Sequence, residues 1–420
     1  MPFLQTLYPR IESRVLSSFS DEPLLRPRMP ELDSVRGLAI LMVLIFHGFM
    51  HIGATTLPST MQAFIKVTLI GRLGVNLFFV LSGFLITGLL LDSVARADYF
   101  RHFYVRRLLR IVPAFCLTLI ALAVTHDVPG HSLALSATFL ANLSPLFGVA
   151  TAYVVLWSLA VEEHFYLVWP TIVRRVTTKN LLRLCVAILL VEPIARVVSY
   201  ELALPNGTDW NDVTRYTWNA TDGLALGAII ALGLRQFHVT RTDAFRIASL
   251  AIAAGAALFC IGIPFGITVR HTNVFGAAFQ EVPWNFAFAG LVMLFLVLGT
   301  GRWKALVVPR PLLFFGRISY GLYLVHMLVF DEYDAVARRY LPYLVASEGQ
   351  VLLWWIRFAI ASGGAILLAW LSRETLEEFF LNLHGRHLRP RAPRRLPGAD
   401  RAGLLLGGRH RGPAAHPAAR

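Results

Sequence analysis

His47 follows Arg36 by eleven residues, and everything between them is apolar or glycine. Eleven residues are close to three helical turns, so guanidinium and imidazole share one helix face, roughly 16 Å apart along the axis. An imidazole removed from water is a general base or a nucleophile. A guanidinium, with its planar fork, binds phosphate or carboxylate bidentately. A second concentration of polar chemistry is Trp157-Ser158-Leu159-Ala160-Val161-Glu162-Glu163-His164-Phe165-Tyr166. Glu162 shares a face with Tyr166 and Trp169, whereas Glu163 points about 100° away, toward His164 or a neighbouring helix. A carboxylate that meets a buried imidazole fixes its tautomer and raises its basicity, so Glu162, or another acid, is the expected partner of His47. A third group, Arg107 and Arg110, is spaced by three on one helix face and suits an anionic, phosphate-bearing ligand.

Weaker signals accompany these. Asp33 stands one turn before Arg36, and Asp222 opens the run Thr221–Gly227. Tyr320 and His326 lie in Gly316–His326, where His326 is read as structural. Ser82, within Phe78–Phe84, belongs to a stretch of small residues suited to close helix approach. Each has a plain alternative: a snorkelling arginine, a hydrogen-bonded core histidine, or a basic loop that only sets orientation. The shared face of Arg36 and His47, and two carboxylates in mid-segment, weigh against those alternatives. Cys116, Cys185 and Cys260 show no CxxC spacing, so neither a disulfide framework nor a metal site is expected.

The elements that must carry these residues are long apolar segments. Of 420 residues, 56% are hydrophobic and 15% charged, well below the quarter or so that is charged in soluble domains. The expected fold is therefore all-α, a polytopic transmembrane bundle of about ten spans: roughly 32–52, 69–91, 111–126, 153–173, 181–200, 217–234, 247–267, 284–301, 311–330 and 352–371. An ionisable group at the centre of such a span costs about 2.5–3.5 kcal/mol, so its presence needs a reason. The stretch 133–150 is broken by Asn142, Ser144, Pro145 and Gly148 and is expected to be re-entrant or a packed outer loop. With both termini cytosolic, 31 of the 39 Lys and Arg fall inside, as the positive-inside rule requires. That placement accounts for the net charge of +14 without a nucleic-acid partner. Residues 1–30 form a polar cytosolic segment without the apolar core of a signal peptide, so the first span is expected to act as the targeting signal. Residues 31–372 form the membrane domain, and 373–420 a basic, aperiodic tail read as disordered.

These motifs, taken in order, resemble the acyltransferase-3 family of bacterial integral-membrane O-acyltransferases. The likeness rests on Leu32–His47, Phe78–Phe84 with Thr87, Arg107 and Arg110 before Ile111-Val112-Pro113, Trp157–Tyr166, and Ser319–His326. The resemblance implies a stand-alone member without an appended esterase-like domain, seated in the bacterial cytoplasmic (inner) membrane. It implies transfer of an acyl group from cytosolic acyl-CoA, expected to be acetyl-CoA, to a hydroxyl of a sugar-containing glycan or glycolipid. No permanently bound cofactor is expected, and the remaining partners are membrane lipids. His47 and Glu162 would be catalytic, and Arg36, Arg107 and Arg110 would bind the donor. Asp33, Ser82, Trp157, Ser158, Tyr166, Asp222, Tyr320 and His326 would support them. The family often has an arginine two residues before the sixth-span aspartate; here that position is Ala220, which puts a role for Asp222 in doubt. The competing class is a proton-coupled transporter or flippase, which also uses intramembrane His, Glu and Asp. No half-and-half repeat of the kind common in transporters is visible.

The charge distribution predicts that an impermeant thiol reagent misses a cysteine introduced at Arg175 and labels one at Asn206. Labelling at Arg175 in intact cells contradicts the ten-span arrangement.

Overall fold

The computed structural model describes residues 22–50, 59–126, 128–203, 210–267, 273–345 and 350–380. Most of the basic tail and residues 1–21 of the N-terminal segment therefore lie outside the described residues. Among the described residues there is no strand, and ten helices have fifteen residues or more. These are α1 (Pro30–Phe49), α2 (Gly74–Ser93), α3 (Tyr99–Thr125), α4 (Leu156–Arg175), α5 (Thr178–Ala203), α6 (Asp222–Gln236), α7 (Arg241–Gly262), α8 (Glu281–Leu298), α9 (Arg310–Tyr340) and α10 (Val351–Ser372).

Seven of the described helices are long and apolar enough to cross a membrane. The three long helices outside that set are α4, α5 and α6. Glu162 and Glu163 interrupt the apolar run of α4, which ends on Arg174 and Arg175, and Glu192 and Arg196 interrupt that of α5. Helix α6 has fifteen residues, which rise about 22 Å against a hydrocarbon core of roughly 30 Å. The outward faces are those of a protein whose solvent is lipid. Leu190, Val191, Ile194 and Val198 of α5, and Leu250, Leu258 and Ile261 of α7, are all exposed. Arg196, Glu192, Asp222 and His326 are buried. This is the reverse of a soluble fold and makes the chain a multi-pass membrane protein.

The segment 133–150 does not form a helix of crossing length. Gly130–Ala137 has eight residues, a rise of about 12 Å. Phe139 then takes a left-handed conformation at φ 59°, and a 3₁₀ turn follows at Ala141–Phe147. The Asn142 amide donates to the Arg215 carbonyl and to Thr217 Oγ1, at 3.2 and 2.9 Å, and so ties the segment to the loop before α6.

The packing that positions the site is the pairing of α1 with α9. A Cβ on Gly37 would collide with the backbone of Leu312, and one on Gly316 with the backbone of Asp33. Only glycine permits that approach. Farther along both helices His47 meets His326, so α1 and α9 run in the same sense. Helices α2 and α6 also run in the same sense: Gly83 packs on the Leu224 backbone, and Asp92 pairs with Arg235 at 2.7 Å. Helix α4 runs against α9, because Tyr153 bonds Leu324 while Ser158 bonds Tyr323.

The far end of α1 is held by Arg357 of α10. Its guanidinium donates to the Gly48 carbonyl at 2.9 Å and to both oxygens of Asp334, at 2.7 and 2.8 Å, over the Phe330 ring. It satisfies a helix-terminal carbonyl that has no partner within its own helix. Arg357→Leu is expected to destabilise the folded protein by about 3 kcal/mol, the order for stripping one partner from a buried ion pair. Thermal unfolding of the detergent-solubilised variant measures this, and an unchanged melting temperature would show that the pair is dispensable.

Candidate functional site

The residues singled out by type and spacing gather around two neighbouring cavities. The first, of about 130 Å³, is lined by Arg36 of α1, Ser82 of α2, Arg107 and Arg110 of α3, Ser158, Glu162 and Tyr166 of α4, and Tyr320 of α9. The second, of about 220 Å³, is lined by His47, Trp157, Asp222, Arg72, Asn76, Gln280 and Glu281, among others. Val75, Phe79 and Tyr323 line both, and therefore form the partition between them. The partition is held from the α4 side. Tyr323 Oη donates to the Val155 carbonyl at 3.1 Å and also bonds Ser158 Oγ. The Phe79 ring meets Trp157 edge-on, with centroids 6.0 Å apart.

The arginine cavity has an ordered wall. Arg107 donates to Glu163 Oε1 through Nε and Nη2, at 3.2 and 2.9 Å, and lies over the Tyr166 ring. Ion pairing and cation–π contact together fix the direction of its fork. Asp33 pairs with Arg36. Tyr320 Oη donates to the Ile111 carbonyl, tying α9 to α3 at 2.9 Å. Three guanidiniums line this cavity, two of them paired with Asp33 and Glu163, and each presents a planar fork that can bond an anion bidentately.

One expectation about α4 changes. Glu162 does not line the cavity of His47; it accepts a hydrogen bond from Ser82 Oγ at 2.7 Å inside the arginine cavity. The reason is helix sense. From the contact of Ser158 with Tyr323, α4 carries Glu162 one turn in one direction, while α9 carries His326, and with it His47, one turn in the other. The axial offset is about 10 Å at 1.5 Å per residue. Glu163, expected to point toward His164 or a neighbouring helix, meets the neighbouring helix: it anchors Arg107 of α3. His164 bonds Thr217 Oγ1 at 2.7 Å.

The imidazole of His47 instead meets another imidazole. His326 Nε2 lies 3.1 Å from His47 Nδ1, with ring centroids 4.9 Å apart. His47 Nδ1 is also 3.0 Å from the Val43 carbonyl.

Asp222 has the arginine that Ala220 lacks, supplied from another helix. Arg196 of α5 donates to Asp222 Oδ2 and Glu192 Oε1, each at 2.8 Å, and to the carbonyls of Asn219 and Ala278. Glu192 in turn accepts from the backbone N–H and Oγ1 of Thr221. Arg72, Asn76 and Glu281 form a second polar group, with Glu281 accepting from Arg72 at 3.2 Å and from Asn76 at 3.0 Å. None of these residues except Asp222 was picked out by motif. Glu192 and Arg196, at i and i+4 in an apolar run, were the available signal. Among the described residues, no cluster of three or more His, Cys, Asp or Glu could hold a metal ion.

Comparison with known proteins bears on this arrangement. The chain is 29% identical over 330 residues to YrhL of Bacillus subtilis, covering 71% of this chain and 48% of that protein. It is 25% identical over 327 residues to the peptidoglycan O-acetyltransferase OatA of Listeria monocytogenes, covering 72% and 49% of the two chains. With the O-acetyltransferase OatA of Staphylococcus aureus it shares 26% over 342 residues, covering 73% and 51%. The chain thus spans about half the length of these curated relatives. No solved structure matches it. An acyltransferase-domain family model matches residues 29–374, a range that contains both cavities and every residue that lines them, and the chain belongs to that family.

Proposed function

We propose that this protein is a membrane O-acyltransferase that takes an acyl group from cytosolic acyl-CoA and delivers it to a sugar hydroxyl on the far side of the membrane. The observation that carries the reading is the pair of cavities, one lined by three arginines and one by His47, meeting at Phe79 and Tyr323. In this reading ten helices cross, both termini are cytosolic, and the membrane is the bacterial cytoplasmic membrane. The same-sense pairs α1/α9 and α2/α6 support that alternation.

Arg36, Arg107 and Arg110 bind the phosphates of CoA, and the thioester arm runs along α1 past the partition toward His47. His47 takes the proton of the acceptor hydroxyl while that oxygen attacks the thioester carbonyl. The C–S bond breaks, the sulfur leaves as thiolate, and it is protonated to free CoA. In a second version His47 itself attacks, an acyl-imidazole forms as CoA leaves, and the acceptor hydroxyl then displaces the imidazole. Glu162, held by Ser82, belongs to the donor side in both versions. The outer cavity suits a polyhydroxylated acceptor. Asp222, Glu281 and Asn76 offer acceptors and donors, while Trp157 and Phe46 offer apolar faces. The two OatA relatives are named O-acetyltransferases, one of them for peptidoglycan. We extend to this chain an acetyl donor and a glycan acceptor of that class.

Release of free CoA by purified protein, with acetyl-CoA and glycan acceptors, tests the proposal. His47→Ala is expected to lower kcat by about 10² to 10⁴; wild-type turnover in that variant rejects the mechanism. Arg110→Ala is expected to raise the KM for acetyl-CoA about tenfold, the order for losing a charge-assisted bond to phosphate. Lys in its place restores only part, because a point charge lacks the fork. Glu163→Gln is expected to act the same way, through Arg107, with kcat little changed. A Glu163→Gln defect confined to kcat contradicts that assignment.

A further inference from the structure

Resting on the reading of His47 as the reacting imidazole, we infer that His326 is its positioning residue, and that the site uses a neutral His–His dyad instead of a carboxylate–histidine pair. The protonation pattern follows from partners that can only accept. His326 Nδ1 lies 2.8 Å from the Tyr323 carbonyl and 3.1 Å from that of Leu322. A carbonyl has no proton to give, so Nδ1 carries the hydrogen, and in the neutral ring Nε2 is then the acceptor. That nitrogen faces His47 Nδ1 at 3.1 Å. His47 Nδ1 is also within 3.0 Å of the Val43 carbonyl, so it too carries a hydrogen, shared between Val43 and His326. The lone pair of neutral His47 is therefore on Nε2, the nitrogen that takes the hydroxyl proton or attacks the thioester.

His326 is suited to this task by its surroundings. It is fully buried, and the carbonyls of its own helix at i−3 and i−4 hold its ring. Its position relative to His47 is set by the close packing of Gly37 and Gly316, which fixes the relative register of α1 and α9. A neutral partner has a consequence that a carboxylate would not have. A carboxylate would raise the basicity of His47 further, increasing the share protonated before the reaction, and would itself be costly to bury. His326 leaves His47 neutral and ready to accept a proton, then accepts a stronger hydrogen bond from Nδ1–H as positive charge develops on the ring.

Two substitutions separate this role from mere filling of space. In His326→Gln the side-chain oxygen can still accept from His47 Nδ1–H. In His326→Leu a similar volume remains without an acceptor. We expect His326→Leu to lower kcat about 10²-fold at unchanged KM for acetyl-CoA and acceptor, and His326→Gln to recover most of that loss. Equal kcat in the two variants, or wild-type kcat in His326→Leu, overturns the inference even where His47→Ala is inactive. Activity is not the sole readout. With ¹⁵N-labelled histidine in lipid nanodiscs, the His47 signal, identified by its absence in His47→Ala, should report an unprotonated Nε2 in the wild type and in His326→Gln. In His326→Leu the Val43 carbonyl still holds the proton on Nδ1, so the tautomer persists and the Nδ1–H signal should instead move upfield as its hydrogen bond to His326 is lost; an unmoved Nδ1–H signal overturns the dyad. A protonated Nε2 on neutral His47 in the wild type overturns the dyad whatever the turnover shows. Turnover retained in His47→Ala instead removes the proposed function and leaves the tautomer measurement to decide the dyad alone.

Discussion

The close approach of α1 and α9 sets the geometry on which the site depends. Two glycines let the backbones touch near one end, and that contact fixes which side chains face each other three turns farther along. At the near end the pairing brings Arg36 beside Ser319 and Tyr320, and at the far end it brings His47 against His326. Arg357 then clamps the end of α1 to α10. A shift of one residue between these helices would turn the His47 ring by about 100° away from its partner. The imidazole pair is thus specified by backbone packing remote from it, with no polar side chain needed to aim His326.

The same logic explains why Arg196 and Arg107 each have several partners. In a hydrocarbon surrounding, a charge that is not paired costs several kcal/mol. Arg196 is accordingly met by two carboxylates and two carbonyls, and Arg107 by Glu163 and Tyr166. These networks form polar walls inside an apolar shell, and the cavities occupy the space between them. Phe79 and Tyr323 divide that space into a compartment lined by Arg36, Arg107 and Arg110 and one in which Arg72, Arg196 and Arg215 stand among amides, carboxylates and an imidazole.

Much of this was legible in the sequence, and the exceptions share one cause. Periodicity and length locate the ten long helices, and the eleven-residue spacing puts Arg36 and His47 on one face, each lining a cavity. Arg107 and Arg110 do line one cavity, as their spacing of three indicates. What a single helix cannot reveal is its depth relative to another. Glu162 looked like the partner of His47 because both fall near mid-span, but α4 and α9 run in opposite senses and carry the two apart. Ala220 looked like a missing arginine because the replacement, Arg196, comes from a different helix. His326 looked structural because nothing in α9 alone shows that α1 brings a second imidazole to it. The span between Asn142 and Gly148 was readable as broken, since Asn, Pro and Gly in sequence leave few helical hydrogen bonds to form.

The central claim is that donor and acceptor are served from opposite faces through adjoining cavities. Proteoliposomes containing protein of one orientation, with acyl-labelled acetyl-CoA sealed on the side of Arg107 and Arg110 and a soluble glycan acceptor outside, test it directly. The account predicts labelled acceptor in the external medium while free CoA accumulates inside the vesicles. Transfer that occurs only when donor and acceptor are supplied on the same face would contradict it.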